Sequence, residues 1–593
     1  MAETIQERLK LLRTDMIGEG INAVILPSAD PHQSEYTAAH WDVRTWFSGF
    51  TGSAGTLIVL PGQAALWTDA RYFLQAEKEL VDTGINLHRQ TISHAPEHIP
   101  WLCGQLKSGD RIGIDGRCFS VRQTEYLQQV AGSHGLSIFF GYAPADKLWK
   151  SRPPLPDHPV FAHDTSWCSQ SRKEKIEKVR ITLGEEKLDY LVVAALENIA
   201  WVLNLRGSDI PCNPLFYAFL LIGNDSITLF ADALKFSTPI LNELAEDEVH
   251  FLPYEEAGPF LSRQQGIFAY QPDSLNASIY GCIPPGQARE MPDWIMSWKA
   301  VKSDVEIAHL RSTQRRDSIA LLRAIRWLEA ELALGHEVSE VKMAEKLAAC
   351  RAADPAYRGE SFPPIIGFEA NGAIIHYRPE AGTAALIRPP GNLLLDSGGQ
   401  YLDGTTDITR TLFLGDKPPA ALMRHYTLVL KGFIALASAR FPRGTLGIQL
   451  DVLARLPLWK EGLNYGHGTG HGVGFFLPVH EGPQGFATNP ASGRGTAALI
   501  PGMVTTNEPG FYAEGAYGIR IENMLLCIAT ENGYLAFEDL TLFPVAKNTI
   551  DLSLMDSGER AWLDQYHQRV WEALSPLLEA EERAWLKDRC QPL

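Results

Sequence analysis

The sequence predicts an α/β protein of three domains, and three observations carry that expectation. Helix and strand patterns alternate from the N-terminus to about residue 150 and again from about residue 171. Between them lies SRPPLPDHP, residues 151–159, where four prolines in nine residues forbid regular structure. From Ser303 onward a long helical pattern opens a larger mixed unit, of a size that one domain can hold. The limits expected are 1–155, 160–302 and 303–555, with a helical extension at 556–593.

Residues 5–17 pattern as an amphipathic helix, and Ala23 to Leu26 as a buried strand. PSADPHQSEY is polar and turn-rich; WFSGFTGSAGTLIVL is punctuated by glycine before a strand; AALWTDARYFLQAEKEL runs from a strand into a helix. Within it Arg71 reads locally as a surface or salt-bridged arginine. The second unit begins with a helix near 171–183 and the strand YLVVAAL at 190, and Arg206 and Asp209 satisfy a buried turn. Ser303 and Glu306 form a capping box for a helix running to Leu334, where Gly335 stops it. Further helices are expected at 338–352 and 419–440. The tail carries Trp562, Leu563, Tyr566, Val570 and Leu574 at helical spacing, a stripe that serves equally to pack on its own domain or to meet a second subunit. The sequence shows no internal repeat.

Composition excludes several partners. A net charge of −17, with no cluster of Lys and Arg, disfavours nucleic acid and anionic membranes. The eight cysteines are scattered without CxxC pairing, which argues against a disulfide framework or a zinc ribbon and for a reducing compartment. The start, MAETIQERLKLL, lacks the pattern of a signal peptide, and no apolar run is long enough to span a bilayer. A cytoplasmic setting is therefore expected.

The chemistry centres on LLLDSGGQYLDGTTDITRT, Leu393 to Thr411, which reads as two short strands with Asp396 on one and Asp407 on the other. Neighbouring carboxylates repel, so such a pair needs a cation or a shared proton. His471 in GHGTGHGVG, Glu508 in TTNEPG and Glu522 in YGIRIEN supply further donors. This hard, thiol-free set of five suits Mn²⁺ or Mg²⁺ best, with Zn²⁺, Co²⁺ or Fe²⁺ as alternatives, and its many carboxylates suggest two ions. GHGTGHGVG is neither a helical HExxH pair nor a GxGxxG phosphate loop. On strand alternation, Arg520 and Glu522 share one face. His376, His467 and His480 lie in the same domain; each alone reads as a hydrogen-bonded core histidine, and together near a dinuclear site they suit oxyanion and peptide contacts.

In this order and spacing, DSGGQYLDGTTDITRT, GHGTGHGVG, VHEGP, TNEPGFY and GIRIEN resemble the aminopeptidase P (Xaa-Pro aminopeptidase) family of the pita-bread metallopeptidase superfamily. DPHQSEY, SGFTGSAG, WTDARYFLQA and AWVLNLRGSDI extend the resemblance, to the long three-domain form, over nearly the whole chain.

The resemblance implies two creatinase-like N-terminal α/β domains followed by a pita-bread catalytic domain. It implies two divalent ions, Mn²⁺ foremost, with Asp396 on one, His471 and Glu508 on the other, and Asp407 and Glu522 bridging. His376, His467 and His480 would line the substrate site, and Arg71 would reach a longer peptide. The implied activity is release of any N-terminal residue before a penultimate proline, by a metal-bridging hydroxide. Glu508 would shuttle the proton, with His480 and His376 steadying the oxyanion. A homodimer involving the C-terminal helices is implied as well. The alternatives are an Xaa-Pro dipeptidase (prolidase) and a non-catalytic pita-bread peptide-binding protein.

Overall fold

The computed structural model describes residues 3–92, 95–490 and 495–593. The chain divides into two compact units, Met1–Thr165 with Gln170–Ile295, and Ser166–Ser169 with Met296–Leu593.

The first unit contains two six-stranded sheets whose orders are the same. In one, the strand Ala23–Pro27 pairs antiparallel with Thr56–Val59, which pairs antiparallel with Ala64–Thr68; Asn86–Arg89 then adds in parallel. Arg111–Gly113 and Ser137–Phe139 extend the other side in parallel. The second sheet repeats each step with Tyr190–Val193 in the place of Ala23–Pro27. The unit is thus a topological repeat that the sequence does not betray, because strand order is set by long-range pairing while the side chains need only stay apolar.

PSADPHQSEY, expected only as turns, joins the two halves of this unit. The Tyr217 hydroxyl donates to Asp30 Oδ2 at 2.9 Å, His32 Nδ1 donates to the Ala194 carbonyl at 2.7 Å, and Asn276 Nδ2 donates to the Pro31 carbonyl at 2.8 Å. Asp30 and His32 are buried, so each needs these partners. Burial holds the His32 imidazole below its ordinary pKa. Arg206 and Asp209 are buried as expected, Asp209 against Lys235 at 2.7 Å.

The second unit opens on the helix Asp304–Ala333, started by the expected capping box: Ser303 N donates to Glu306 Oε2 at 2.8 Å, and Glu306 N to Ser303 Oγ at 3.3 Å. Gly335, with φ of 75°, adopts the left-handed backbone that ends it. Two of the antiparallel sheets that follow position the site. One is Ile365–Phe368, Gly391–Ser397 and Ile408–Leu414; the other has six strands, with Asn523–Ala529 and Val504–Asn507 at its centre. Leu321 and Ile325 of the long helix meet Leu393 and Leu395, and Val429 and Phe433 of the helix Ala420–Ala437, in one apolar core. Ala420–Ala437 is long and apolar enough to cross a membrane by length and composition, and 61% of it is buried inside this structure.

The tail forms the helices Ser557–Leu574 and Ala580–Arg589. Leu563, Tyr566, Val570, Leu574 and Leu586 enter that same core, so the stripe is covered by its own unit.

Candidate metal centre

Asp396 sits on the strand Gly391–Ser397 opposite Thr409 of the neighbouring strand. Asp407 stands one residue before Ile408–Leu414, rather than on it. The small hairpin Gly399–Tyr401 and Gly404–Thr405 turns the chain between them. A Cβ at Gly398 would lie 1.9 Å from the Thr406 carbonyl oxygen, so only glycine lets the two acid-bearing segments close.

His471 occupies the short strand Gly470–Gly472. A Cβ at Gly470 would come within 1.9 Å of the Thr506 carbonyl oxygen. The His471 amide donates to Thr506 Oγ1 at 3.0 Å, and Nδ1 donates to the Gly472 carbonyl at 3.0 Å. That leaves Nε2 as the lone-pair nitrogen, 3.5 Å from both Asp407 Oδ2 and Glu508 Oε1. Glu508 follows the strand Val504–Asn507 directly.

Glu522 lies in a break between Tyr517–Arg520 and Asn523–Ala529. A continuous strand, as alternation of Arg520 and Glu522 on one face requires, is not formed here. It is interrupted because Ile521 N donates to the Pro509 carbonyl and Glu522 N to the Thr409 carbonyl, at 3.3 and 3.1 Å. Thr409 Oγ1 completes the hold, donating to Glu522 Oε2 at 2.6 Å.

Asp407, His471 and Glu522 therefore offer buried ligand atoms all within 4.8 Å of one another. Burial first, and then Glu522, Asp396 and Glu508 nearby, push the Asp407 carboxyl well above the usual range. Burial, Glu508 and Asp396 do the same to Glu522.

Arg520 is the counter-charge that the sequence reading left unassigned. It is buried and donates from Nη2 and Nε to Asp396 Oδ2, at 2.5 and 3.2 Å. Burial opposes its charge, but Tyr512 and the surrounding carboxylates hold its pKa well above the ordinary value. Its Nη1 donates to the Tyr512 hydroxyl at 2.6 Å, and that hydroxyl lies 2.8 Å from His467 Nε2. Burial pushes the Tyr512 phenol up to about 12. His480 stacks edge-on against His471, with centroids 4.3 Å apart at 89°.

Two further expected residues lie on other elements. His376 is half-buried in the turn after the 3₁₀ segment Glu369–Ala373. Arg71 belongs to the first unit and forms a two-pronged pair with Asp69, Nε to Oδ1 at 2.8 Å and Nη2 to Oδ2 at 2.7 Å. Arg410, which carries no local sequence signal, supports the site from behind. Fully buried, it donates to the Glu522 carbonyl at 2.6 Å and to the Tyr566 hydroxyl at 3.1 Å, so a tail residue supports the backbone at Glu522.

The residues fit a pair of divalent cations. Four acids converge with one imidazole nitrogen, and Asp396 Oδ1 is buried with no hydrogen-bond partner among the described residues. An oxygen so placed is costly unless a cation takes it up. The donor set is hard and thiol-free, as Mn²⁺ or Mg²⁺ prefers.

Comparison with known proteins agrees along the whole chain. Residues 308–529 match metallopeptidase family M24, and 533–593 match the C-terminal region of that peptidase. Residues 8–137 and 151–306 each match the creatinase/prolidase N-terminal domain. A probable Xaa-Pro aminopeptidase P of Laccaria bicolor is 39% identical, covering 99% of this chain and 93% of its own. Aminopeptidase P2 of Arabidopsis thaliana is 38% identical, covering 97% and 86%. The crystal structure of X-prolyl aminopeptidase from Caenorhabditis elegans, described as a cytosolic enzyme with a dinuclear active site, superposes with a TM-score of 0.95, at 34% identity and full coverage of both chains. With two creatinase-type domains ahead of its peptidase domain, the chain belongs to the aminopeptidase P family of M24 metallopeptidases.

Proposed function

We propose that the protein removes the N-terminal residue from peptides whose second residue is proline. The observation that carries this reading is the convergence of the whole donor set, Asp396, Asp407, His471, Glu508 and Glu522, in a chain related end to end to aminopeptidases P. Two divalent ions bound there would acidify a water and polarise the scissile carbonyl. We assign manganese, a cytoplasmic setting, a homodimer and the domain limits given above to the same reading.

The protein's own groups have separable tasks. Glu508 takes the proton of the attacking water and delivers it to the departing proline nitrogen, for which its partly exposed carboxylate beside His471 is suited. His480, held against His471, and His376 steady the oxyanion, and His467, aligned by Tyr512, contacts the peptide. A proline nitrogen carries no hydrogen, so an enzyme cannot hold this substrate through that N–H, and a site shaped for the ring has to replace it.

With Mn²⁺ supplied, Arg-Pro-Pro is expected to release arginine, while Arg-Ala-Pro is left intact and the dipeptide Ala-Pro is cleaved poorly. Equal cleavage of Arg-Ala-Pro, or cleavage confined to the dipeptide, contradicts the proposal; the latter result identifies a prolidase. Glu508→Gln should lower kcat by about 10²–10⁴-fold. Retained metal-dependent turnover in that variant removes the shuttle role.

A further inference from the structure

A carboxylate that none of these roles uses lies buried elsewhere in the peptidase unit. Glu340 is the first residue of the helix Glu340–Arg351 and is 0% exposed. Among the described residues no Lys, Arg or His side chain forms an ion pair with it. Its charge is instead met by neutral donors. Oε1 accepts from Phe368 N at 2.7 Å and Asn371 Nδ2 at 3.1 Å. Oε2 accepts from the Tyr377 hydroxyl at 2.8 Å, Ala385 N at 2.7 Å and Asn371 Nδ2 at 3.1 Å. The amide of Glu340 donates to the Ala385 carbonyl at 3.1 Å.

These partners have one thing in common. Phe368 and Ala385 bracket the connection 369–384, which between its ends has only the 3₁₀ segment Glu369–Ala373 as regular structure. Tyr377 sits inside it, next to His376, and Asn371 ties back to the Tyr377 hydroxyl at 3.0 Å. One carboxylate therefore fixes both ends of the connection and the neighbour of His376. Burying an anion without a cation is costly, and an apolar side chain would pack there at less expense. The helix N-terminus and the converging N–H and O–H groups offset that cost. What the arrangement gains is a defined path for the segment that carries His376.

We infer that Glu340 is a positioning residue for the reaction: through Phe368, Asn371, Tyr377 and Ala385 it fixes where His376 stands against the substrate. The inference rests on the substrate role proposed for His376. Glutamine at position 340 keeps the shape but turns an NH₂ group toward donors whichever way it is flipped. The connection then has to shift, and a displacement of about 1 Å costs about 10²-fold in rate.

The test measures kcat and KM on Arg-Pro-Pro, with Mn²⁺ content, for Glu340→Gln, Tyr377→Phe, His376→Ala and the double variants. The expected result is a fall of about 10²-fold in kcat for Glu340→Gln and a smaller one for Tyr377→Phe, with KM and metal content little changed. Neither substitution should lower kcat further in the His376→Ala background, because both act through that imidazole. Losses that add in the double variants overturn the inference, as does full activity in folded Glu340→Gln. If Glu340→Gln does not fold, the Tyr377→Phe cycle decides alone by the same criterion. Wild-type turnover in His376→Ala removes the role of His376 and this inference with it, whereas an impaired His376→Ala beside a fully active Glu340→Gln removes only the inference.

Discussion

Asp407→Asn is expected to lower Arg-Pro-Pro hydrolysis by about 10³-fold or more, equivalent to about 4 kcal/mol of transition-state stabilisation, and at the same time to stabilise the metal-free protein. Both effects follow from one arrangement. Asp407 and Glu522 are buried beside Asp396 and Glu508, and their pKa values are pushed well up. A carboxyl whose pKa is raised on folding contributes fully to stability below its unfolded pKa of about 4 and loses that contribution as pH rises through the folded value. Metal-stripped wild type should therefore unfold more easily at pH 8 than at pH 5 from this source. Asparagine removes one of the charges and should raise stability at neutral pH, with little gain at pH 4. Urea unfolding in a chelator at these pH values checks the sign. A loss of stability at pH 8 in the variant would show that the acids are not in conflict.

Arg520→Met should act in the opposite direction on the same metal-free protein. It removes the buried cation that binds Asp396 and orders Tyr512. Breaking a buried pair by removing one partner costs about 3–5 kcal/mol. Loss of the Tyr512 alignment with His467 should lower kcat/KM by about 10–100-fold even with metal restored, the usual loss when a group that orients a ligand is removed. Arg520→Lys is expected to rescue little, since an ammonium cannot reproduce the fork that reaches Asp396 and Tyr512 together. Unchanged urea unfolding in Arg520→Met would contradict the role assigned to this arginine.

Much of this site was legible in the chain because its signals are local. The acids follow apolar strands or precede proline, a Gly-rich stretch marks the turn between Asp396 and Asp407, and Ser303 with Glu306 announces a helix start that the structure contains. The contacts that the sequence hides are long-range. Arg520 meets Asp396 across 124 positions, and only its shared parity with Glu522 hinted at a place in the site. The break at Ile521 and Glu522 depends on carbonyls of Pro509 and Thr409, which periodicity does not weigh. Glu340 looks like an ordinary acid in a first helical turn until Phe368, Tyr377 and Ala385 fold over it. The repeated sheet order escaped for a related reason: pairing Ala23–Pro27 with Arg111–Gly113 leaves no mark on either stretch.

Binding stoichiometry decides whether Asp396, Asp407, His471, Glu508 and Glu522 form a dinuclear centre. Metal-stripped protein would be titrated with Mn²⁺ while bound ion and Arg-Pro-Pro hydrolysis are followed together, for wild type and His471→Ala. Two ions per wild-type chain are expected, with activity appearing as they bind, and at most one tightly bound ion with little activity in His471→Ala. Two tightly bound ions in that variant, or full hydrolysis by wild type with none, would contradict such a centre.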